Sequence, residues 1–130
     1  MATNIDYERL SKEFVQHYYN QFDDPAQRRN LTNMYDPTNS LMTFEGAQIQ
    51  GSAKIMEKLN SLSFNTINRI VTTVDSQPMP DGGILINVVG RLKADDDPPH
   101  SFSQVFVLKS NGNNFFCQHD IFRLDIHDSA

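Results

Sequence analysis

Three adjacent carboxylates, Asp95, Asp96 and Asp97, stand in the stretch LKADDDPPHSF, and two prolines follow them directly. Alternating apolar runs flank this stretch, which places it on the connection between two predicted strands. A charge run on a connection is most often solvated and has no specific partner. The alternative is a negative patch that steers and selects a basic partner. The residue types alone leave both interpretations open.

The other polar candidates form no catalytic or metal-binding motif. His17, His100, His119 and His127 are scattered along the chain, whereas a metal site needs clustered ligands. His119 and Asp120 are adjacent, but neighbours on a strand point to opposite faces, so they can pair only across a bulge. The phosphate-binding patterns GxxxxGK[ST] and GxGxxG and the metal motif HExxH are absent from the sequence. Nothing in these residue patterns demands catalysis, and no cofactor is expected.

Length and composition narrow the class of partner. The 130 residues suit one domain, 1–130. Eleven Lys and Arg against sixteen Asp and Glu give a formal net charge of −5, which opposes nucleic acid as a partner. Cys117 is the one cysteine, so no internal disulfide is possible and a reducing compartment is expected. The charged N-terminus and the lack of a run of about 20 apolar residues predict neither a signal peptide nor a membrane span.

Helical periodicity covers the first part of the chain, and strand periodicity covers the rest. Apolar residues recur at helical spacing over 5–22, Asp24 and Pro25 predict the start of a second helix, and Ser52 opens a third. The short segments LMTFEG and AQIQG predict a strand pair. Four alternating segments predict further strands: NTINRIVTTVDSQ, ILINVVGRLKA, FSQVFVLKS and FFCQHDIFRLDI. This order predicts an α+β fold, with helices on one face of a curled antiparallel sheet.

The late strands are apolar on both faces. In ILINVVGRL, the alternation separates Ile84, Ile86 and Val88 from Leu85 and Val89. In the last strand, the alternation predicts one face with Phe116, Phe122 and Leu124. It predicts the opposite face with Phe115, Cys117 and Ile121. One set can face the helices, and the other would be exposed in a monomer. We expect a homodimer joined through that second face, the alternative being that bulges or the tails cover it.

Seven segments, in order and over nearly the whole chain, resemble the nuclear transport factor 2 family: FVQHYYNQFD, MTFEGAQIQG, EKLNSLSF, TTVDSQP, GRLKADDDP, FSQVFVLK and HDIFRLDIH. The resemblance implies a homodimeric carrier that binds the GDP form of the small GTPase Ran and FxFG nucleoporin repeats, and so returns Ran to the nucleus. It implies a cone-like curled antiparallel sheet packed against N-terminal helices, with an apolar cavity. It also implies a location in cytoplasm and nucleus, concentrated at the nuclear pore.

The resemblance assigns roles to particular residues. In the family, an aromatic side chain of Ran enters the cavity, and acidic residues around the mouth pair with basic residues of Ran. The acidic mouth maps to Glu45, Asp95 and Asp97. The cavity lining maps to a mainly aliphatic and aromatic set: Phe44, Leu62, Ile67, Ile121 and Phe122. The nucleoporin site maps to Tyr7. The family often has tryptophan at the positions of Phe44 and Tyr7, and this chain has none.

Two other interpretations remain open. The same cone fold carries dehydratases and isomerases that move a proton with an acid or histidine inside the cavity. A small-molecule lyase or isomerase is therefore the alternative function, with Asp120 as its candidate inward carboxylate. A paralogue that dimerises but has lost one partner is the third interpretation.

Overall fold

The computed structural model describes residues 6–62, 66–112 and 114–125, except for the side chain of residue 111. His127 and the start of the predicted first helix lie outside these ranges. The helices and strands are α1 (Tyr7–Asp23), a 3-10 helix (Arg28–Met34), β1 (Leu41–Phe44), β2 (Ala47–Gln50), α2 (Ser52–Asn60), β3 (Ile67–Pro78), β4 (Ile84–Ala94), β5 (His100–Asn111) and β6 (Asn114–Leu124). The predicted α+β class is confirmed. In the part of the chain that the structure describes, no helix is long and apolar enough to cross a membrane.

Helix α1 packs its predicted apolar stripe against the sheet. Its buried residues are Ser11, Val15, Tyr18, Tyr19 and Phe22, which recur at the spacing of one helix face. The helix ends at Asp23 because the next residue precedes Pro25, and a residue before proline is driven into extended backbone. Asp24 has φ −99° and ψ 112°, in agreement with that restriction.

The predicted second helix is a 3-10 helix, which is wound more tightly than an α-helix. Asp24 does begin a turn, since its Oδ1 accepts a hydrogen bond of 3.0 Å from the Ala26 N–H. The segment then continues as the 3-10 helix, which buries Arg28 and Leu31. The Arg28 Nε–H donates to the Phe22 carbonyl at 2.7 Å, which ties this segment back to the last turn of α1.

The strands of the described ranges form one six-stranded sheet in the order β2-β1-β6-β5-β4-β3. The hairpins β3-β4, β4-β5 and β5-β6 are antiparallel as predicted. The pair β1 and β6 is parallel, which the sequence analysis did not anticipate. Parallel neighbours need a long crossover connection, and here α2 and β3 to β5 separate the two strands. This pairing places Phe44 beside Phe122.

A β-bulge in β6 decides which side chains of that strand are buried. Leu108 pairs with Cys117 and Val107 pairs with His119, so Gln118 is an additional residue. The bulge reverses the alternation, and Cys117 is fully buried beneath the helices. The prediction that Cys117 shares the outward face with Ile121 is therefore wrong. A second irregularity, between Val71 and Thr73 in β3, further bends the sheet.

The two faces of the sheet differ in burial as the pattern predicts. The inner face contributes the largest part of the core, including Ile86, Val88, Phe102 and Phe106, each at most 1% exposed. The outer face leaves large apolar side chains accessible in the single chain. Those of β4 and β6 include Val89 at 39% and Ile121 at 49% exposed.

Candidate functional site

An apolar cavity of about 260 Å³ lies between the helices and the inner face of the sheet. Most of its walls are aliphatic or aromatic side chains, and polar groups stand at the mouth and at the inner end. The lining residues include Tyr18, Tyr19, Phe44, Glu45, Leu62, Ile67, Arg69, Asp97, His100, Gln104 and Phe122. An apolar cavity of about 150 Å³ already holds a benzene ring, so this cavity has room for an aromatic side chain.

One wall is a row of stacked aromatic rings. Phe44 and Phe122 stack with centroids 4.9 Å apart and an interplanar angle of 20°. Phe122 continues onto Phe102 at 5.9 Å and 28°. The row depends on the parallel pairing of β1 with β6, because that pairing brings Phe44 next to Phe122. Lys58 covers the end of the row, with its Nζ 5.6 Å from the Phe44 centroid.

Glu45 stands at the mouth because of the tight turn between β1 and β2. Glu45 and Gly46 both have positive φ, 50° and 87°, as the type I′ turn of a two-residue hairpin requires. The Glu45 N–H donates to the Phe122 carbonyl at 3.1 Å. Its carboxylate Oε1 accepts a hydrogen bond of 2.6 Å from the Leu124 N–H. Backbone and side chain together hold this acid against the end of β6.

The three aspartates take different positions. Asp97 lines the cavity mouth together with Glu45. Asp95 does not line it: its Oδ1 accepts hydrogen bonds from the Thr66 N–H at 2.9 Å and the Thr66 hydroxyl at 3.1 Å. Asp95 is therefore beside the cavity lining and not in it, and its predicted contact with Ran stays a prediction. The cause is a turn, since Asp95 has φ 51° and the Asp97 N–H donates to the Ala94 carbonyl at 3.0 Å, so the segment is not extended.

Ile121 also lies away from the cavity. It is 49% exposed, on the outer face of β6, whereas its neighbour Phe122 is 8% exposed and lines the cavity. Successive side chains of a strand point to opposite faces, so the predicted lining cannot contain both. The structure brings Phe44, Leu62, Ile67 and Phe122 together as predicted and corrects the placement of Ile121.

Tyr7 lies apart from these residues, at the first position of α1. Its side chain is half-buried and packs against the edge of the core. The Tyr7 carbonyl accepts a hydrogen bond of 2.6 Å from the Ser11 hydroxyl. Since Tyr7 is not among the lining residues of the cavity, the predicted nucleoporin contact and the predicted Ran contact fall on separate parts of the molecule.

The inner end of the cavity contains a cation that the sequence analysis missed. The Arg69 guanidinium lies 4.0 Å from the Tyr19 ring centroid and 5.0 Å from that of Phe102. It pairs with Asp23 through Nη2–H···Oδ1 at 2.7 Å and Nε–H···Oδ2 at 3.0 Å. The Arg69 side chain is 5% exposed and that of Asp23 19%. Its position between Ile67 and Val71, on the inward alternation of β3, was the available sequence signal.

Behind the cavity, Asp120 is the centre of a buried polar network. Its Oδ1 accepts from the Gln104 Nε2–H at 2.7 Å, and its Oδ2 accepts from the Tyr35 and Tyr18 hydroxyls at 2.8 and 3.1 Å. Asp120 is 1% exposed. Burial raises the pKa of the carboxyl, and the hydrogen bonds from Gln104, Tyr35 and Tyr18 lower it in part. Burial and the nearby Asp120 likewise raise the pKa of the Tyr18 and Tyr35 hydroxyls.

Asp120 is inward, as the sequence suggested, but it does not line the cavity. Gln104 and Tyr18, which do line it, separate the carboxyl from the open volume. A general base must reach the proton that it removes, directly or through one water. His100 does line the cavity. No group of three or more potential metal ligands occurs among the residues that the structure describes.

Comparison with known proteins agrees with this geometry. The model of the nuclear transport factor 2 (NTF2) domain matches residues 10–124. The chain belongs to the nuclear transport factor 2 family. It is 46% identical over 133 residues to the probable nuclear transport factor 2 of Caenorhabditis elegans, covering 99% of this chain and 100% of that protein. It is 43% identical over 124 residues to nuclear transport factor 2 of Saccharomyces cerevisiae, covering 94% and 97% respectively.

A solved structure of a family member has the same fold. Nuclear transport factor 2 from Cryptosporidium parvum superposes with a TM-score of 0.87 at 41% sequence identity. The match covers 94% of this chain and 97% of that one. The similarity therefore extends over the helices and the sheet. Nearly the whole chain has the nuclear transport factor 2 family fold.

Proposed function

We propose that this chain is a nuclear import carrier for the GDP form of Ran. It binds Ran through the cavity and FxFG nucleoporin repeats through a separate surface, and it moves Ran through the nuclear pore without changing the nucleotide. The proposal places the protein in cytoplasm and nucleus, with concentration at the nuclear envelope. It is supported by the name nuclear transport factor 2 of relatives that are 43–46% identical to it over nearly their full length.

The cavity is the observation that carries the proposal. An aromatic side chain that enters it meets the stacked rings of Phe44 and Phe122 and is removed from water. Burying such a side chain contributes roughly 1.5–3 kcal/mol. Glu45 and Asp97 at the mouth favour a partner with basic residues around that ring. An exposed ion pair contributes only about 0.2–1 kcal/mol, so the ring supplies more of the affinity and the carboxylates supply encounter rate and orientation.

The proposed carrier is a homodimer. The outer face of the sheet has accessible apolar side chains at its centre, such as Val89 and Ile121, and the cross-strand register places Val105 directly beside Ile121. A second copy seated on this face would bury them by the same surface on both subunits, as a two-fold interface requires. The Ran cavity opens on the other side of the sheet, so both interactions can occur at once.

Tyr7 is the proposed contact for FxFG repeats. A half-buried tyrosine offers a flat apolar ring with a polar end, which suits contact with exposed phenylalanines in a flexible chain. The simpler interpretation is that Tyr7 only completes the apolar stripe of α1, because the ring packs against the core. The two interpretations predict different losses when the ring is removed: loss of repeat binding in the first, and loss of the folded dimer in the second.

Catalysis in the cavity is the less favoured function. The candidate acid, Asp120, lies behind Gln104 and Tyr18 and already accepts their hydrogen bonds. A substrate in the cavity would have to displace these side chains before it could exchange a proton with the carboxyl. The relatives reported above are named as transport factors and not as enzymes.

Capture of Ran in its two nucleotide forms tests the proposal. Immobilised protein is offered Ran loaded with GDP or with a non-hydrolysable GTP analogue, and bound Ran and its nucleotide are quantified. We expect selective capture of the GDP form with the nucleotide unchanged. Tyr7→Ala is the matched control, because it removes an aromatic ring outside the cavity and should leave capture intact. Equal capture of both forms, or of neither, would rule out the import-carrier function.

A further inference from the structure

We propose that Asp120 is a positioning residue for the cavity. Acting through Gln104, it fixes the inner wall in the shape that receives an aromatic ring. Gln104, Tyr18 and Tyr19 line the cavity and Asp120 does not, so an effect of Asp120 on binding must pass through its lining partners Gln104 and Tyr18. The inference rests on the proposed function insofar as the inserted ring belongs to Ran.

The donor and acceptor pattern explains how one carboxyl orients the wall. The Gln104 amide donates from Nε2 to Asp120 Oδ1 at 2.7 Å, and its Oε1 accepts from the Tyr19 hydroxyl at 2.7 Å. If the amide rotated by half a turn, its oxygen would face an acceptor of Asp120, although the Tyr19 oxygen could still accept a hydrogen bond from its N–H₂. The Asp120 acceptor therefore selects the orientation of Gln104 in which the Tyr19 hydroxyl is the donor, and so fixes the direction of that bond.

The chain of contacts continues from Tyr19 to Arg69 at the inner end of the cavity. The Tyr19 ring supports the Arg69 guanidinium at 4.0 Å, and the same guanidinium lies 5.0 Å from Phe102. Phe102 in turn stacks on Phe122, which lines the cavity. A change at Asp120 thus reaches the aromatic row through contacts of Gln104, Tyr19 and Arg69. The same side chains could also serve stability alone, and the test must separate these two roles.

The test compares three variants that affect the network differently. Asp120→Leu removes both acceptors. Asp120→Asn keeps an Oδ1 acceptor for Gln104 and is the conservative rescue. Tyr35→Phe is the matched control for the Tyr18 side of the network, because it removes the Tyr35 hydroxyl from the other oxygen of Asp120 and from Tyr18 and leaves the Gln104 bond intact. Two affinities are measured for each variant. The affinity for toluene, the analogue of a phenylalanine side chain, is measured by NMR titration, and the affinity for GDP-loaded Ran is measured by a binding assay. Urea unfolding of each variant is measured in parallel.

We expect Asp120→Leu to weaken both affinities about five-fold, equivalent to the loss of one oriented hydrogen bond, with the other two variants within about two-fold of the parent. Parent-like affinities in Asp120→Leu would overturn the inference, as would losses in all three variants that merely follow their unfolding free energies.

If Asp120→Leu does not fold, Tyr19→Phe breaks the next hydrogen bond while keeping the ring. An unchanged toluene affinity in that variant would also overturn it. If the parent binds toluene but not Ran, the proposed function fails, and the toluene data still decide the role of Asp120.

Discussion

The Glu45 carboxylate accepts a hydrogen bond of 2.6 Å from the backbone N–H of Leu124, so the last residue of β6 holds the acid at the cavity mouth. The contact separates two roles of one side chain. The carbonyl oxygen of a glutamine can accept the same bond without the charge, whereas a lysine can neither accept it nor attract a basic partner. Substitutions at this position can therefore distinguish charge from geometry.

We expect Glu45→Gln to weaken binding of GDP-loaded Ran by no more than about five-fold, the range of an exposed ion pair. Glu45→Lys should weaken it further, because a repelling cation then faces a basic partner and the Leu124 N–H loses its acceptor. Binding is measured by calorimetry at fixed salt, with the unfolding free energy of each variant as the control. Parent-like binding by Glu45→Gln would show that the charge of Glu45 has no part in binding.

The turn of three aspartates predicts an ordered set of salt effects. Ran binding by the parent should weaken as salt rises, because screening reduces attraction between exposed charges. Asp97→Asn should flatten that dependence, since Asp97 lines the mouth. Asp96→Asn removes the same charge from the adjacent exposed position and should change the slope less. Affinity is measured at several salt concentrations. Coincident slopes for parent, Asp96→Asn and Asp97→Asn would mean that the three aspartates are only a solvated turn.

The proposed dimer interface can be tested with two valines of equal exposure. Val89 and Val71 are each 39% exposed, but Val89 lies on the outer face and Val71, which pairs with Gly90, lies on the face of the helices. Val89→Glu would bury two carboxylates in a two-fold interface and should give monomers at micromolar concentration. Val71→Glu should sediment as the parent does. A parent that sediments as a monomer would contradict the interface directly.

Removal of the Tyr7 ring should separate the two partners. If Tyr7 holds FxFG phenylalanines, Tyr7→Ala lowers the affinity for an FxFG peptide by a factor of ten or more, on the order of the loss from a buried aromatic contact. Ran binding and dimer formation should be unchanged. Fluorescence polarisation of a labelled FxFG peptide measures the peptide affinity, and sedimentation measures dimer formation. Loss of the folded dimer would instead assign Tyr7 to the packing of α1.

The buried Asp120 carboxyl predicts a stability that falls as pH rises. Its pKa is raised in the folded protein, from about 3.9 in an unfolded chain, so between these two values the folded state binds more protons than the unfolded state. The linkage slope is then negative, at most about 1.4 kcal/mol per pH unit. Relative to Asp120→Asn, the unfolding free energy of the parent should decline with pH from about 4 upward until the folded pKa is passed. Urea unfolding at fixed protein concentration measures this difference, and a difference that rises with pH would contradict it.

Local patterns in the sequence were sufficient for the elements, and the family resemblance supplied much of the cavity. Periodicity predicted α1, α2 and the strands, because the period of the apolar residues depends only on local backbone geometry. The alternation in β4 correctly separated Ile86 from Val89. The resemblance to the family brought together Phe44, Leu62, Ile67 and Phe122, which are distant in the chain and share the cavity. The period of the apolar residues does not depend on how one strand lies against another.

Tertiary structure decided the positions that depend on an irregular turn, a bulge or a long-range pairing. The positive φ of Asp95 turns its carboxylate toward Thr66 and leaves Asp97 at the mouth. The extra residue Gln118 reverses the alternation of β6 and buries Cys117. The parallel pairing of β1 with β6 stacks Phe44 on Phe122, and the network around Asp120 joins side chains up to 102 positions apart. The sequence by itself determined which residues are apolar or charged and which local backbone they favour. Which of them meet was decided only when the sheet closed over the helices, because one shifted residue moves every later side chain to the other face.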